Sequence, residues 1–322
     1  MSAIAYVHEP APVYGVVEWM SPLVRRVMAP NPSKFTYHGS GTYLIGRGSV
    51  AVIDPGPASL PHIEAILRAL EPGEVVSHIL ITHTHSDHSP GARLLQERMP
   101  APTHGFGPHG AVYVEDPTDV IIFGDAEADG KPAAPNAGGH ELREGADTDF
   151  IPDVVLADGA IVQGGSWTIQ AVHTPGHTSN HLCFDLVEES TLFTGDHVMG
   201  WSTSVIGPPD GSLGQYLASL RVLLARDDQR YRPTHGPAIT APRELVSSYV
   251  AHRLERTEQI VAALRHGPAT IATLVPIIYS SVSKALWRPA AASMYAHLLQ
   301  LLDDGRVVAT EPGRLTSAFE LV

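Results

Sequence analysis

His83-Thr84-His85-Ser86-Asp87-His88 gathers three imidazoles and a carboxylate into six residues. The apolar run Ser77-His78-Ile79-Leu80-Ile81-Thr82 before it reads as a short buried strand, and Ser89-Pro90-Gly91-Ala92-Arg93-Leu94-Leu95 after it reads as a helix start. Ser89 is expected as the N-cap and Pro90 as the first helical residue, where its missing N–H costs nothing. The motif is then a strand-to-helix turn. Side chains alternate along a strand, so His83 and His85 can point the same way as the chain leaves the sheet, with Asp87 and His88 free to aim at a neighbouring point. Such imidazole and carboxylate donors suit a borderline cation such as zinc without any thiolate.

The rest of the chain is consistent with a globular enzyme. Its 322 residues, 43% hydrophobic and 17% charged, allow one large domain with a small appendage. No basic leader with an apolar core and no run of eighteen apolar residues is seen, so the expected location is cytoplasmic and no membrane partner is expected. Cys183 is the only cysteine, which rules out an internal disulfide and a cysteine-based metal site. The formal charge is −13, but residues 115–158 hold twelve acids against Lys131 and Arg143, leaving only −3 for everything else. A segment of that charge repels a polyanion along any path it borders.

Short apolar runs at Val13–Val17, Leu23–Met28, Thr42–Ile45 and Val50–Ile53 suggest a β-meander that ends at Asp54-Pro55-Gly56-Pro57. Helical spacing follows over Pro61–Leu70, then the motif strand, a helix to about Met99 and an extended piece at Ala101–Phe106. Residues 124–150 lack a period and read as a long surface loop, expected to be a lid or rim over the site. His104, His109 and His140 are expected to be ordinary solvated or hydrogen-bonded histidines. Gly159–Val162, Trp167–Val172, His181–Val187 and Thr191–Thr194 read as strands. Ser212-Leu213-Gly214-Gln215 has the form of a capping box opening a helix to about Arg226, and Tyr231–Pro237 reads as a short strand and turn. Beyond Ala241 the spacing is helical over Arg243–Arg265, Ile271–Tyr279 and Arg288–Leu302, with a hairpin at Val307–Thr310 and Leu315–Leu321. The expected division is a catalytic domain over 1–241 and a winged-helix-like domain over 242–322.

Four separated spots put His or Asp just past an expected strand, each beside Gly or Pro: His83/His85/Asp87/His88, His177, Asp196 and His235. Glycine lets backbone crowd a metal, and seven ligands exceed what one tetrahedral ion takes, so two ions are implied. His-x-His-x-Asp-His, then Thr-Pro-Gly-His, Thr-Gly-Asp and Thr-His-Gly-Pro resemble, in this order, the metallo-β-lactamase superfamily over roughly residues 13–241. The resemblance implies an α+β architecture, an αββα sandwich with the site at the sheet edge. It implies His83, His85 and His177 on a first metal, Asp87, His88 and His235 on a second, and Asp196 bridging. True β-lactamases are exported and several carry cysteine where Asp196 stands, and the di-iron flavoproteins carry an acid where His85 stands, so antibiotic hydrolysis and redox chemistry are disfavoured. The C-terminal part resembles the winged-helix tail of the lactamase-β-like group, whose animal members are single-strand endoribonucleases.

The expected chemistry is dinuclear metal-dependent hydrolysis. Two Zn2+ (iron or manganese also suit His/Asp donors), about 3.5–4 Å apart, share a hydroxide whose parent water has its pKa lowered to about 7. Asp87 orients that nucleophile or carries its proton. His173, His181 and His197 flank ligands and are read either as packed residues or as supports and acids for the leaving group; Asp54 either braces a ligand histidine or caps its own turn. The acidic segment favours a small neutral or weakly anionic ester, thioester or lactone, whereas the tail resemblance favours single-stranded RNA. A metal-binding regulatory or interaction protein is the third reading. Residues 243–322 carry eight Lys/Arg against seven Asp/Glu, too balanced for a DNA-reading tail, so the tail is expected to pack on the catalytic domain or on a second subunit in a homo-oligomer.

Overall fold

The computed structural model describes residues 4–111 and 144–322. Two sheets stack face to face. The first has seven strands in the order β1(Val17–Trp19), β2(Val24–Met28), β3(Gly41–Ile45), β4(Ser49–Ile53), β5(Val75–Leu80), β6(Thr103–Gly105), β7(Val154–Val155). The second has five, β12(Arg230–Pro233), β11(Thr191–Gly195), β10(Leu182–Leu186), β9(Thr168–His173), β8(Ile161–Gln163). Period-two alternation sorts each strand's side chains between two buried faces. Tyr43, Ile45, Ala51 and Ile53 turn inward against Ile169, Leu182, Phe184 and Phe193 to form the core between the sheets. Leu44, Val50 and Val52 turn outward onto Ile63 and Ile66 of α1(Leu60–Arg68) and onto Ala92 and Leu95 of α2(Gly91–Gln96). Cys183 and Leu192 face Tyr216, Leu217 and Leu220 of α3(Leu213–Leu224). The result is the αββα sandwich expected from the sequence.

The motif strand starts and ends two residues earlier than the apolar run suggests, and β1 begins at Val17, where the meander was expected to open at Val13. Ser89 is not the N-cap of α2. That place belongs to Pro90 without a side-chain bond, and the Ser89 hydroxyl instead donates to Asp147 at 2.7 Å. Ser212 does cap α3, but its own amide bonds to the Gly176 carbonyl, so the reciprocal half of the capping box is not formed.

Three helices and a small sheet follow, α4(Pro242–Leu264), α5(Ile271–Ile278) and α6(Trp287–Asp303) with β13(Ala269–Thr270), β14(Val307–Ala309) and β15(Ala318–Leu321). Ile260, Val261 and Leu264 pack with α5 and α6 around Met294, Leu298 and Phe319. The first turns of the same helix α4 lie elsewhere: Val246 and Tyr249 pack under the second sheet with Leu220 and Tyr231. One long helix thus joins two cores.

Candidate metal centre

Strand direction gathers the site. β4 and β5 run parallel, and β9, β11 and β12 run parallel to one another because β9 and β11 are each antiparallel to β10 while β11 and β12 pair in parallel. Asp54, the 83–88 turn, His177, Asp196 and His235 therefore all follow carboxyl ends of strands. Two glycines make the close approach feasible. Gly195 (φ +49) has His181 Nε2 2.6 Å from where a Cβ would sit, and at Gly176 (φ +137) the Tyr216 backbone leaves a Cβ no room either.

All seven expected residues converge. His83 Nε2 and His177 Nε2 lie 3.0 and 3.1 Å from His85 Nδ1. Asp87 Oδ2 lies 3.4 Å from His88 Nε2 and 3.2 Å from His235 Nε2. Asp196 Oδ2 stands between the groups, 3.3 Å from His235, 3.6 Å from His88 and 3.9 Å from His177. A zinc ion with bonds of about 2.0–2.1 Å in tetrahedral array needs donor atoms roughly 3.3 Å apart, which is the spacing found here. The donor set also asks for a cation. His88 Nε2 and Asp196 Oδ1 are buried with no hydrogen-bond partner. Burial raises the carboxyls of Asp87 and Asp196, but the facing histidines outweigh it and hold both below the ordinary range. Burial likewise depresses His88 and His235, and there Asp87 and Asp196 outweigh it, lifting His88 well above its ordinary value and His235 to about 10. The carboxylates thus require positive charge among these nitrogens, as protons or as metal. These residues fit divalent ions.

The far side of each ring is tied down, which fixes the tautomer that leaves the inner nitrogen free to bind. His88 Nδ1 bonds to Asp54 Oδ2 at 2.9 Å, His235 Nδ1 to the Gly39 carbonyl at 3.0 Å, His177 Nδ1 to the Val205 carbonyl at 2.7 Å, and His83 Nδ1 contacts Thr82 Oγ1 at 3.0 Å. Of the two sequence readings of Asp54, bracing is the one observed: its buried carboxylate also accepts from Thr82 N, Thr82 Oγ1 and Thr234 Oγ1. Ser40 Oγ donates to Asp87 Oδ2 at 2.7 Å.

The flanking histidines separate. His181 supports the site, its Nε2 accepting from the Asp196 amide and its Nδ1 meeting Thr174 Oγ1. His197 is buried with both ring nitrogens unpartnered, and burial lowers its pKa to about 3. His173 bonds to the Ser179 carbonyl and stacks on Phe106, away from the ligand atoms. His104 bonds to the Pro102 carbonyl, while His109 reaches Thr84 Oγ1 near the site; His140 falls outside the described residues. The residue that sequence reasoning missed is Glu144, whose Oε2 lies 2.7 Å from His85 Nδ1 and 3.4 Å from His177 Nε2. It forms a donor group with His177 and Asp196. An acid inside a Gly- and Asp-rich stretch carries no local signal of such a place. Most of the expected lid, 124–143, lies outside the described residues, but its end is no plain surface loop.

Comparison with known proteins agrees with this geometry. Residues 38–235 match the metallo-beta-lactamase superfamily and residues 270–314 match the beta-lactamase associated winged helix domain. A lactamase-like protein from Pestalotiopsis microspora is 32% identical over 77% of this chain and 65% of its own length, so the chain spans just under two thirds of that relative. An atrochrysone carboxyl ACP thioesterase from Cryptosporiopsis sp. (strain 8999) is 28% identical over 90% of this chain and 83% of its own. A beta-lactamase domain protein from Burkholderia ambifaria superposes with a TM-score of 0.75 at 22% identity, covering 98% of this chain and 96% of its own. A metallo-beta-lactamase family protein from Thermus thermophilus gives 0.70 at 22%, covering 94% and 100%. The sandwich, the converging His/Asp set and the match over more than half its length establish that this chain belongs to the metallo-beta-lactamase superfamily and is a metal-dependent hydrolase.

Proposed function

We propose that the chain hydrolyses small acyl thioesters, with esters and lactones as neighbouring substrates, at a dinuclear centre. The observation that carries this reading is the pair of donor groups, His83/His85/His177 and Asp87/His88/His235, with Asp196 Oδ2 between them. In it the first group would hold one ion, the second group the other, and Asp196 would bridge. Zinc suits the donors, and iron or manganese would fit the same set. Two such ions would supply a hydroxide at neutral pH and an electrophile for the carbonyl oxygen. Water oxygen adds to the acyl carbon, the C–S bond breaks, and carboxylic acid and thiol leave. Asp87, fixed by Ser40, orients the attacking water and takes up its proton. A departing thiol, with a pKa of about 8.5, needs little help from a general acid, unlike an amine or alkoxide. That suits a site whose flanking His181 is already engaged as an acceptor of the Asp196 amide.

Relatives named as ACP thioesterases support the acyl class, and they align over 90% of this chain, tail included. The tail therefore does not single out RNA. We place the domain division at 241/242, with the tail acting as a packing module: Arg253 Nη2 bonds to the Ser204 carbonyl, and Ser204 Oγ donates to the carbonyls of Asp196 (2.5 Å) and His197 (2.9 Å). Among the described residues no helix is long and apolar enough to cross a membrane, and Cys183 is a buried free thiol. A cytoplasmic location fits both.

The test is a panel of acyl thioesters, lactones and a labelled single-stranded RNA, assayed with wild type, His85→Ala and Asp196→Ala. Thioester hydrolysis lost in both variants is expected. RNA cleavage that falls away with rising salt, beside silence on every acyl substrate, would replace this reading with the endonuclease one.

A further inference from the structure

Among the described residues, Glu144 is the donor at this site that lies outside the seven-residue set. Its side chain is 11% exposed, and the nitrogens it faces are His85 Nδ1 and His177 Nε2, the same atoms that converge with His83 Nε2. The approach is built rather than incidental. Gly145 O accepts from Ser86 N at 2.8 Å, Asp147 N donates to Thr84 O at 2.8 Å, Ala146 forms a β-bridge with His85, and Asp147 Oδ2 accepts from Ser89 Oγ at 2.7 Å. Residues 144–147 are thus strapped along the motif itself. A carboxylate withdrawn from water needs compensating charge, and inner histidine nitrogens free to bind metal offer it lone pairs. A cation among these three nitrogens satisfies all four groups at once.

We propose that Glu144 is an additional metal ligand, filling through Oε2 the fourth position of the ion held by His83, His85 and His177, so that an acyl substrate gains that ion by displacing it. This rests on the metal centre proposed above. Three histidines leave a tetrahedral ion one position short, and in hydrolases that position is kept for water or substrate. A tethered carboxylate there gives a resting site closed by protein, opened when the 144–147 strap shifts.

The test is equilibrium titration of metal-stripped full-length protein with Zn2+ against a chromophoric chelator, and with Co2+ by visible absorption, for wild type, Glu144→Gln, Glu144→Asp and Asp149→Asn. Asp149 is an exposed acid on the same segment and controls for a general change in charge. Glu144→Gln should weaken one of two equivalents by about tenfold or more and change the Co2+ spectrum, with Glu144→Asp between it and wild type and Asp149→Asn unmoved. Wild-type affinity and spectrum in Glu144→Gln, or an equal loss in Asp149→Asn, would overturn the proposal while leaving the metal centre intact. A wild type that binds no metal would instead sink the centre itself.

Discussion

Asp54→Asn is the sharpest perturbation of the site that touches no proposed ligand. Asp54 is 1% exposed and accepts four hydrogen bonds, from Thr82 N to Oδ1 and from Thr82 Oγ1, Thr234 Oγ1 and His88 Nδ1 to Oδ2. Asparagine keeps the shape but must point an NH2 at one of these donor sets. With the amide nitrogen at the Oδ2 place, His88 Nδ1 has to accept, its proton moves to Nε2, and the atom facing Asp87 and Asp196 stops being a ligand. With the nitrogen at the Oδ1 place, the buried Thr82 N–H goes unpaired at about 1–3 kcal/mol. Either way metal binding weakens. Partners of this kind are worth about 10–100-fold in affinity, or about 1.4–2.7 kcal/mol, and the loss should fall on the ion bound by His88. The assay is chelator competition on apo protein, read equivalent by equivalent, beside denaturant unfolding of the same samples. Thr234→Val, which keeps the carboxylate and the His88 bond, should change affinity by less than about threefold. Asp54→Asn with both equivalents within about twofold of wild type would refute the bracing argument.

Two other outcomes are expected. Burial lowers the His62 pKa from its ordinary value to about 4, so the unfolded chain takes up that proton first. The stability it contributes is present above about pH 6.5 and is lost as pH falls toward 4, roughly 2 kcal/mol between pH 7.5 and pH 5. Unfolding midpoints should show a correspondingly shallower acid slope in His62→Gln; parallel slopes would contradict the assignment. Arg253→Met should lower kcat for thioester hydrolysis and weaken metal binding by several-fold while far-UV circular dichroism stays unchanged, because it frees the Ser204 carbonyl next to Val205, whose own carbonyl orients His177. Unaltered metal affinity would confine Arg253 to a packing role.

Much of this was legible in the sequence because the signals were local. Alternation in Thr42–Ile45 and Val50–Ile53 marks strands with two buried faces, and the ligand motifs each follow a strand within a few residues. What was hidden depends on long-range partners. Ser89 looked like a helix cap because its neighbours suit one, yet its hydroxyl is taken by Asp147, 58 residues away. Glu144 was legible only as charge, since its place is set by backbone pairing to Thr84 and Ser86. The join at 241/242 reads cleanly in composition, whereas α4 shares its two ends between two cores, because helical periodicity shows which face is apolar but not what it meets.

The most direct measurement is metal add-back with simultaneous assay. Apo protein titrated with Zn2+ should show no thioester hydrolysis at the start and a rise that breaks close to two equivalents per chain, with Asp196→Ala failing to reach the second. Full activity at one equivalent, or activity in chelator that no metal increases, would contradict the dinuclear centre.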